Sequence, residues 1–361
     1  MSEAARAVAP RAAPEALDPP RAPLAAPASP SPPNSASSPE GSSRTVAAAE
    51  LAAVARPSAG QRWVAVLLLI SGRAPWLIDA LRPLSVFFAW HTSSRLRDAT
   101  TANAARILGP ASTPAQRRAL GKGVVGSFVD FLTEMARSQR QSAEQLLARL
   151  DSVQGRERYF EARKARRGAI LVTAHMGSFE TAVAEIRRFE PKVRVVFQRD
   201  QRISRFEDLR AGQRKALGTI ESPVGEGDDP WMMWFALRDA LLADEIVLMQ
   251  GDRVMPGQRG VRVPFLHGTM MLPPGPIKLA MATGSPVIPV FALRTSTGRV
   301  RIVMDEPFFV PPEPPEGWVR GTPHPATLRL ARTIAEQISR YPEQWLVVHR
   351  AWCEDQPVER A

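Results

Sequence analysis

The stretch "AILVTAHMGSFE" (Ala169–Glu180) decides the predicted fold. Its first half is a short run of apolar and small residues, which is typical of a strand buried in a parallel sheet. Gly177 permits a sharp turn, and Ser178 is suited to cap a helix that we predict over 179–189. A buried strand that turns directly into a helix is the repeating unit of an α/β sheet.

The same alternation continues towards the C-terminus. Further strands are predicted at Val193–Phe197, Glu245–Gln250, Pro286–Leu293 and Val300–Met304. Further helices are predicted at Thr113–Gln139, Trp231–Ala243, Pro274–Thr283 and Pro325–Arg340. We therefore expect an α/β fold with a mixed, largely parallel sheet flanked by helices.

Composition divides the chain into four parts. Residues 1–60 are rich in Ala, Pro and Ser and lack Phe, Tyr, Trp and Ile, so we predict a disordered tail. Residues 61–110 form a hydrophobic helical segment, 111–355 the α/β domain, and 356–361 a short C-terminal tail.

The hydrophobic segment is predicted to associate with a membrane. Its two apolar runs, Trp63–Ile70 and Leu84–Trp90, are both shorter than the ~20 residues of a spanning helix. A monotopic anchor or re-entrant hairpin is favoured over a single span. The alternative is a buried helix pair in a soluble domain.

Charge and cysteine content limit the function classes. The formal net charge is +11, which suggests an anionic partner such as phospholipid, an acidic protein or nucleic acid. Few aromatic residues interleave with the basic runs at 156–167 and 187–215, so no nucleic-acid partner is predicted. Cys353 is the only cysteine, which excludes an internal disulfide and a cysteine-based metal site.

His175 and Glu180 are the candidate catalytic pair. His175 follows the predicted strand, at the edge where α/β sheets form their sites. With His175 in the loop and Glu180 in the first helical turn, the two side chains can meet. A carboxylate on one imidazole nitrogen fixes the tautomer, and the other nitrogen can deprotonate a hydroxyl. The alternative is a structural histidine beside an acid that favours a helix N-terminus.

Four blocks together resemble the lysophospholipid acyltransferase superfamily. Within it, the blocks resemble those of the bacterial late lipid A acyltransferases and of the related phosphatidylinositol mannoside acyltransferases. "TAHMGSFE" resembles the H-x4-D/E block. The others are "GQRKALGTIES" (Gly212–Ser222), the long block Gly251–Phe291, and "YPEQWLVVHRAW" (Tyr341–Trp352). Their order holds over roughly residues 62–352.

The resemblance implies roles for individual residues. His175 would be the general base and Glu180 its orienting acid. Arg214 matches the family's functional arginine, and Asp252 its downstream acid.

Two further residues are candidates for supporting the substrate or the transition state. Arg199 lies in the second basic run, and backbone N–H groups near Gly177 are candidate donors to an oxyanion.

The implied reaction moves a fatty acyl chain from a thioester to a lipid hydroxyl, without a metal or redox cofactor. The donor would be acyl carrier protein or coenzyme A. The acceptor would be a membrane glycolipid, a lipid A precursor first and a phosphatidylinositol mannoside second. The expected location is the cytoplasmic face of the inner membrane. The proline-rich block 306–325 departs from the family pattern on the acceptor side.

Other functions stay open from the sequence. They are a thioesterase or other hydrolase of the same fold, and a non-catalytic basic domain that binds lipid or nucleic acid. A metal hydrolase is least favoured, because no second ligand lies at metal spacing from His175. His267 and His349 are the rival histidines, and we interpret both as structural.

Overall fold

The computed structural model describes residues 75–138, 140–197, 217–223, 230–254, 258–319 and 321–356, together with Gly212 and Lys215. The helices in these ranges are α1 (Pro75–Thr92), α2 (Ser94–Leu108), α3 (Pro114–Ser138), α4 (Ala143–Leu147), α5 (Arg156–Arg163), α6 (Phe179–Ile186), α7 (Pro230–Leu242), α8 (Gly275–Thr283) and α9 (Pro325–Arg340). Short 3-10 turns follow at Pro342–Gln344 and Cys353–Asp355.

The described strands form one large sheet and one hairpin. They are β1 (Leu150–Gln154), β2 (Ala169–Thr173), β3 (Val193–Phe197), β4 (Ile220–Pro223), β5 (Ile246–Gln250), β6 (Val261–Phe265), β7 (Gly268–Leu272), β8 (Val287–Arg294) and β9 (Val300–Met304). The sheet has the order β1-β9-β8-β2-β5-β3-β4, and β6 and β7 pair separately as an antiparallel hairpin. Within the sheet only β8 and β9 pair antiparallel.

The central strand β2 is buried on both faces, as its apolar run predicts. Ile170 and Val172 pack into a core cluster with α7, α8 and α9, whereas Leu171 packs on the opposite face with α5 and α6. Burial of each such side chain contributes about 1.5–3 kcal/mol to folding. Packing against these two cores fixes the position of β2 and therefore the position of the loop that follows it.

The neighbouring strand β5 brings a second loop to the same edge. β2 and β5 are parallel and in register, with Thr173 opposite Gln250. The Gly251 N–H donates to the Thr173 carbonyl oxygen at 2.8 Å, which continues the pairing beyond both strands. Because parallel strands end together, His175 and Asp252 lie side by side, although 77 residues separate them in sequence.

The α/β class, the mixed sheet and the flanking helices are confirmed. The sequence did not predict β1 or β4, which are the edge strands of the sheet and carry polar residues such as Asp151 and Glu221. It also missed the β6–β7 hairpin, because Pro264 interrupts the first of its two strands.

The predicted N-terminal parts lie mostly outside the described residues. This applies to the disordered tail 1–60 and to the first apolar run, Trp63–Ile70. Within the described part of the chain, no helix combines the length and apolar character needed to cross a bilayer.

Candidate active site

The site is built around the carboxylate of Asp252, which is completely buried. Its Oδ1 lies 2.7 Å from Nδ1 of His175. Its Oδ2 accepts two hydrogen bonds, from the backbone N–H of His175 at 3.0 Å and from Nε1–H of Trp345 at 2.9 Å. The carboxylate therefore fixes both the main chain and the ring of His175.

The surroundings of Asp252 keep it ionised. Burial alone would raise the pKa of its carboxyl group. The attraction of His175 and the hydrogen bonds from His175 and Trp345 outweigh burial, and hold that pKa far below its usual range. An ionised carboxylate can only accept hydrogen bonds, so Nδ1 of His175 carries the proton.

The second ring nitrogen of His175 faces a cation. Nη2 of Arg253 lies 3.1 Å from Nε2. A guanidinium can only donate, so Nε2 presents its lone pair, which is the form that a general base requires. The side chain of His175 is about one-fifth exposed.

The C-terminal segment pairs with the loop that carries His175. The N–H of Leu346 donates to the His175 carbonyl oxygen at 2.7 Å, and Trp345 forms an antiparallel bridge with Met176. The side chain of Gln344 exchanges two 2.8 Å hydrogen bonds with the main chain of Arg294 at the end of β8. This segment thus ties the β2 loop to β8 and delivers the Trp345 indole to Asp252.

Gly177 has a structural role at the turn. Its φ is +59°, in the left-handed region, and an added Cβ would lie 1.7 Å from the Ala292 carbonyl oxygen. Only glycine fits both the conformation and the space.

The backbone N–H groups near Gly177, predicted as candidate oxyanion donors, are in part occupied in this structure, and their role stays a prediction. All four N–H groups of residues 175–178 donate within the protein, to Asp252, Ala174, Gln344 and Ala292 respectively. The loop is packed between β8 and the C-terminal segment, which leaves its donors occupied.

The acid that contacts Nδ1 of His175 is Asp252. Glu180 lies in the first turn of α6, as expected, and is buried. However, the hydrogen bonds described for the two ring nitrogens of His175 involve Asp252 and Arg253, and a role for Glu180 stays a prediction. Ser178 does occupy the N-cap position, but its hydroxyl donates to Glu134 instead of capping the helix.

Arg199 and Arg214 lie outside the described residues, so their predicted roles stay predictions. Among the described residues, no group of three or more His, Cys, Asp and Glu side chains is placed to hold a metal ion. The predicted independence of cofactors also stays a prediction.

Three residues of the site were not selected from the sequence: Arg253, Trp345 and His349. With Asp252 they line a cavity of about 80 Å³. Burial, joined by the charge of nearby Arg253 and by His175, lowers the pKa of His349 to about 4. Trp345 and His349 lie in the Tyr341–Trp352 block, so the resemblance of that block was the sequence signal that could have identified them. Arg253 directly follows the family's acid.

Replacement of Gly177 by alanine should destabilise the fold more than its backbone conformation alone requires. The matched control is Gly298→Ala, because Gly298 has φ +75° but no atom within 4 Å of an added Cβ. The control should lose about 1–2 kcal/mol, the usual cost of a left-handed residue. Gly177→Ala should lose clearly more in urea unfolding, because the Ala292 strand must move. Equal losses would contradict the packing described for this turn.

Comparison with known proteins identifies the family of the chain. The family model described as bacterial lipid A biosynthesis acyltransferase matches residues 56–354. The chain is 26% identical over 266 residues to the phosphatidylinositol mannoside acyltransferase of Mycolicibacterium smegmatis (strain ATCC 700084 / mc(2)155), covering 72% of this chain and 80% of that protein. It is 25% identical over 262 residues to the protein of the same name from Mycobacterium tuberculosis (strain CDC 1551 / Oshkosh), covering 70% and 76%. The chain is an acyltransferase and belongs to the bacterial lipid A biosynthesis acyltransferase family.

Proposed function

We propose that this acyltransferase moves a fatty acyl chain from an acyl thioester to a hydroxyl of a membrane glycolipid, with His175 as general base. The observation that carries this proposal is the buried Asp252 carboxylate, 2.7 Å from Nδ1 of His175. It leaves Nε2, which lies 3.1 Å from Nη2 of Arg253, as the basic nitrogen of the ring. That arrangement suits removal of a proton from a substrate hydroxyl.

The reaction follows from these positions. Nε2 of His175 takes the proton of the acceptor hydroxyl while its oxygen bonds to the thioester carbonyl carbon. The carbonyl electron pair moves to oxygen and forms a tetrahedral oxyanion. When that pair returns, the C–S bond breaks and the sulfur leaves with the proton from His175. The negative charge of Asp252 stabilises the imidazolium between these two proton transfers.

Two acceptors are supported by different observations. The family match supports a lipid A precursor, which we place first. The named relatives act, by their names, on phosphatidylinositol mannosides, which supports such a glycolipid as the second candidate. Both acceptors offer sugar hydroxyls and anionic phosphate groups to a basic protein.

We further propose peripheral attachment at the cytoplasmic face of the inner membrane. Helix α1 exposes Leu84, Phe87 and Phe88, each 44–50% accessible, at helical spacing that places them on one face. Exposed aromatic and aliphatic side chains on a helix favour insertion into the interfacial region of a bilayer. The net charge of +11 adds attraction to anionic lipids.

The donor is proposed to be acyl carrier protein or coenzyme A. The first basic run, 156–167, directly precedes β2 and therefore lies at the sheet edge opposite His175. Part of its charge is neutralised, since Arg163 pairs with Glu190 at 2.8 Å and Arg166 with Asp244 at 3.2 Å. This run is therefore not proposed to guide the thioester into the site.

The acceptor can be identified by a transfer assay with purified protein and radiolabelled acyl donor. The donor is offered alone, with a lipid A precursor, or with a phosphatidylinositol mannoside, in detergent or mixed vesicles. We expect labelled glycolipid with the lipid A precursor and little free fatty acid without acceptor. Label in the mannoside alone would select the second candidate. Rapid release of free fatty acid with every acceptor would instead identify a hydrolase.

Substitutions in the His175–Asp252 pair should abolish most transfer. His175→Ala removes the base, and Asp252→Asn keeps the shape but removes the charge that fixes the tautomer, so each should lower kcat about 10²- to 10⁴-fold. Glu180→Gln should be milder, because the hydrogen bonds described for the ring involve Asp252 and Arg253. These rates are measured on proteins with a wild-type circular dichroism spectrum. Near-normal acyl transfer by folded His175→Ala would contradict the proposed mechanism.

A further inference from the structure

The proposed reaction creates a negative charge that needs a hydrogen-bond donor. Attack on the thioester turns its carbonyl oxygen into an oxyanion, which enzymes stabilise with preorganised donors 2.7–3.1 Å away. The backbone N–H groups of residues 175–178 cannot serve, since each donates to an acceptor within the protein. With these four groups occupied, a side chain close to Nε2 of His175 is a candidate for the donor.

Arg253 is a cation that lies beside Nε2 of His175. Its Nη2 lies 3.1 Å from Nε2 of His175, at the point where the acceptor hydroxyl must bind to lose its proton. The hydroxyl oxygen and the attacked carbonyl are directly bonded in the intermediate. A guanidinium displaced from Nε2 by the hydroxyl therefore stays beside the reacting atoms, where it can donate to the new oxyanion.

The guanidinium also has an unused donor. Among the described residues, the buried Nε of Arg253 has no hydrogen-bond partner. A buried donor without a partner costs about 1–3 kcal/mol, so this Nε–H is available to an oxygen atom of the substrate. The cavity beside it is lined by Asp252, Arg253 and His349, so an oxygen atom there would meet polar groups.

We infer that Arg253 is a catalytic residue that stabilises the oxyanion of the tetrahedral intermediate, an inference that rests on the proposed acyl transfer at His175. In the resting protein its Nη2–H donates to Nε2 and keeps that nitrogen in the acceptor form. When the acceptor hydroxyl takes over Nε2, the same guanidinium donates to the thioester carbonyl oxygen. Its hydrogen bonds strengthen as the carbonyl electron pair moves onto oxygen and weaken when the C–S bond breaks.

This role predicts a loss in kcat without a comparable rise in KM. Arg253→Gln should lower kcat about 10²- to 10³-fold, the usual cost of one oxyanion donor. KM for donor and acceptor should stay within about threefold, because the lost interaction forms only in the transition state. Arg253→Lys should be intermediate, since it keeps the charge but not the planar fork. The control is Arg262→Gln, an exposed arginine on β6, with wild-type kcat and KM.

Two results would overturn the inference. A rise in KM with kcat retained would mean that Arg253 anchors an anionic group of a substrate. Wild-type kcat in Arg253→Gln would mean that it takes no part in the reaction. If His175→Ala is inactive while either of these results is found, only the role of Arg253 is refuted and the proposed function stands. If His175→Ala is active, both the proposed function and the role of Arg253 are refuted.

Chemical rescue separates catalysis from a structural role. Guanidinium chloride, at a concentration that leaves the wild-type protein folded, should raise kcat of Arg253→Ala and leave His175→Ala unchanged. Thermal unfolding checks that the variant is folded, and Arg253→Ser, which also leaves space for guanidinium, replaces it if it is not. A folded Arg253→Ala that guanidinium does not activate would contradict a direct contact with the oxyanion.

Discussion

The site depends on one buried carboxylate, that of Asp252. A fully buried anion is costly unless charges and hydrogen bonds compensate it. Here the compensation comes from the His175 ring, the His175 main chain and the Trp345 indole. Each of these groups belongs to a different part of the chain from Asp252, so the carboxylate joins the β2 loop, the β5 loop and the C-terminal segment. Removal of any one donor leaves the charge less well compensated and the ring of His175 less well oriented.

The sheet makes this convergence possible. Because β2 and β5 are adjacent, parallel and in register, their loops leave the sheet at the same edge. The segment Gln344–Leu346 then closes the loop by pairing with residues 175–177, and Gln344 anchors it to the end of β8. This packing also occupies the backbone donors of the loop. With these donors occupied, the cation Arg253, 3.1 Å from Nε2 of His175, is a candidate source of electrostatic support.

The sequence predicted the architecture better than the site. Buried central strands such as β2 carry apolar runs that reveal them, whereas the edge strands β1 and β4 are partly polar and gave no such signal. His175 was identified because it follows a recognisable strand. Its partner was assigned to Glu180 because that acid is near in sequence, but the pairing of β2 with β5 is a long-range contact that local spacing does not contain. The roles of Trp345 and Arg253 depend on the same contact.

The most direct test of the central claim is the tautomer of His175, read from ¹⁵N NMR of histidine-labelled protein at alkaline pH, where imidazoles are neutral. The signal is assigned by its loss in His175→Ala. Free neutral imidazole favours the proton on Nε2, whereas Asp252 should hold it on Nδ1. For the wild-type protein the account predicts a protonated Nδ1 and an unprotonated Nε2. For Asp252→Asn it predicts either the reverse pattern or a mixture of the two tautomers. A wild-type His175 with its proton on Nε2 would contradict it.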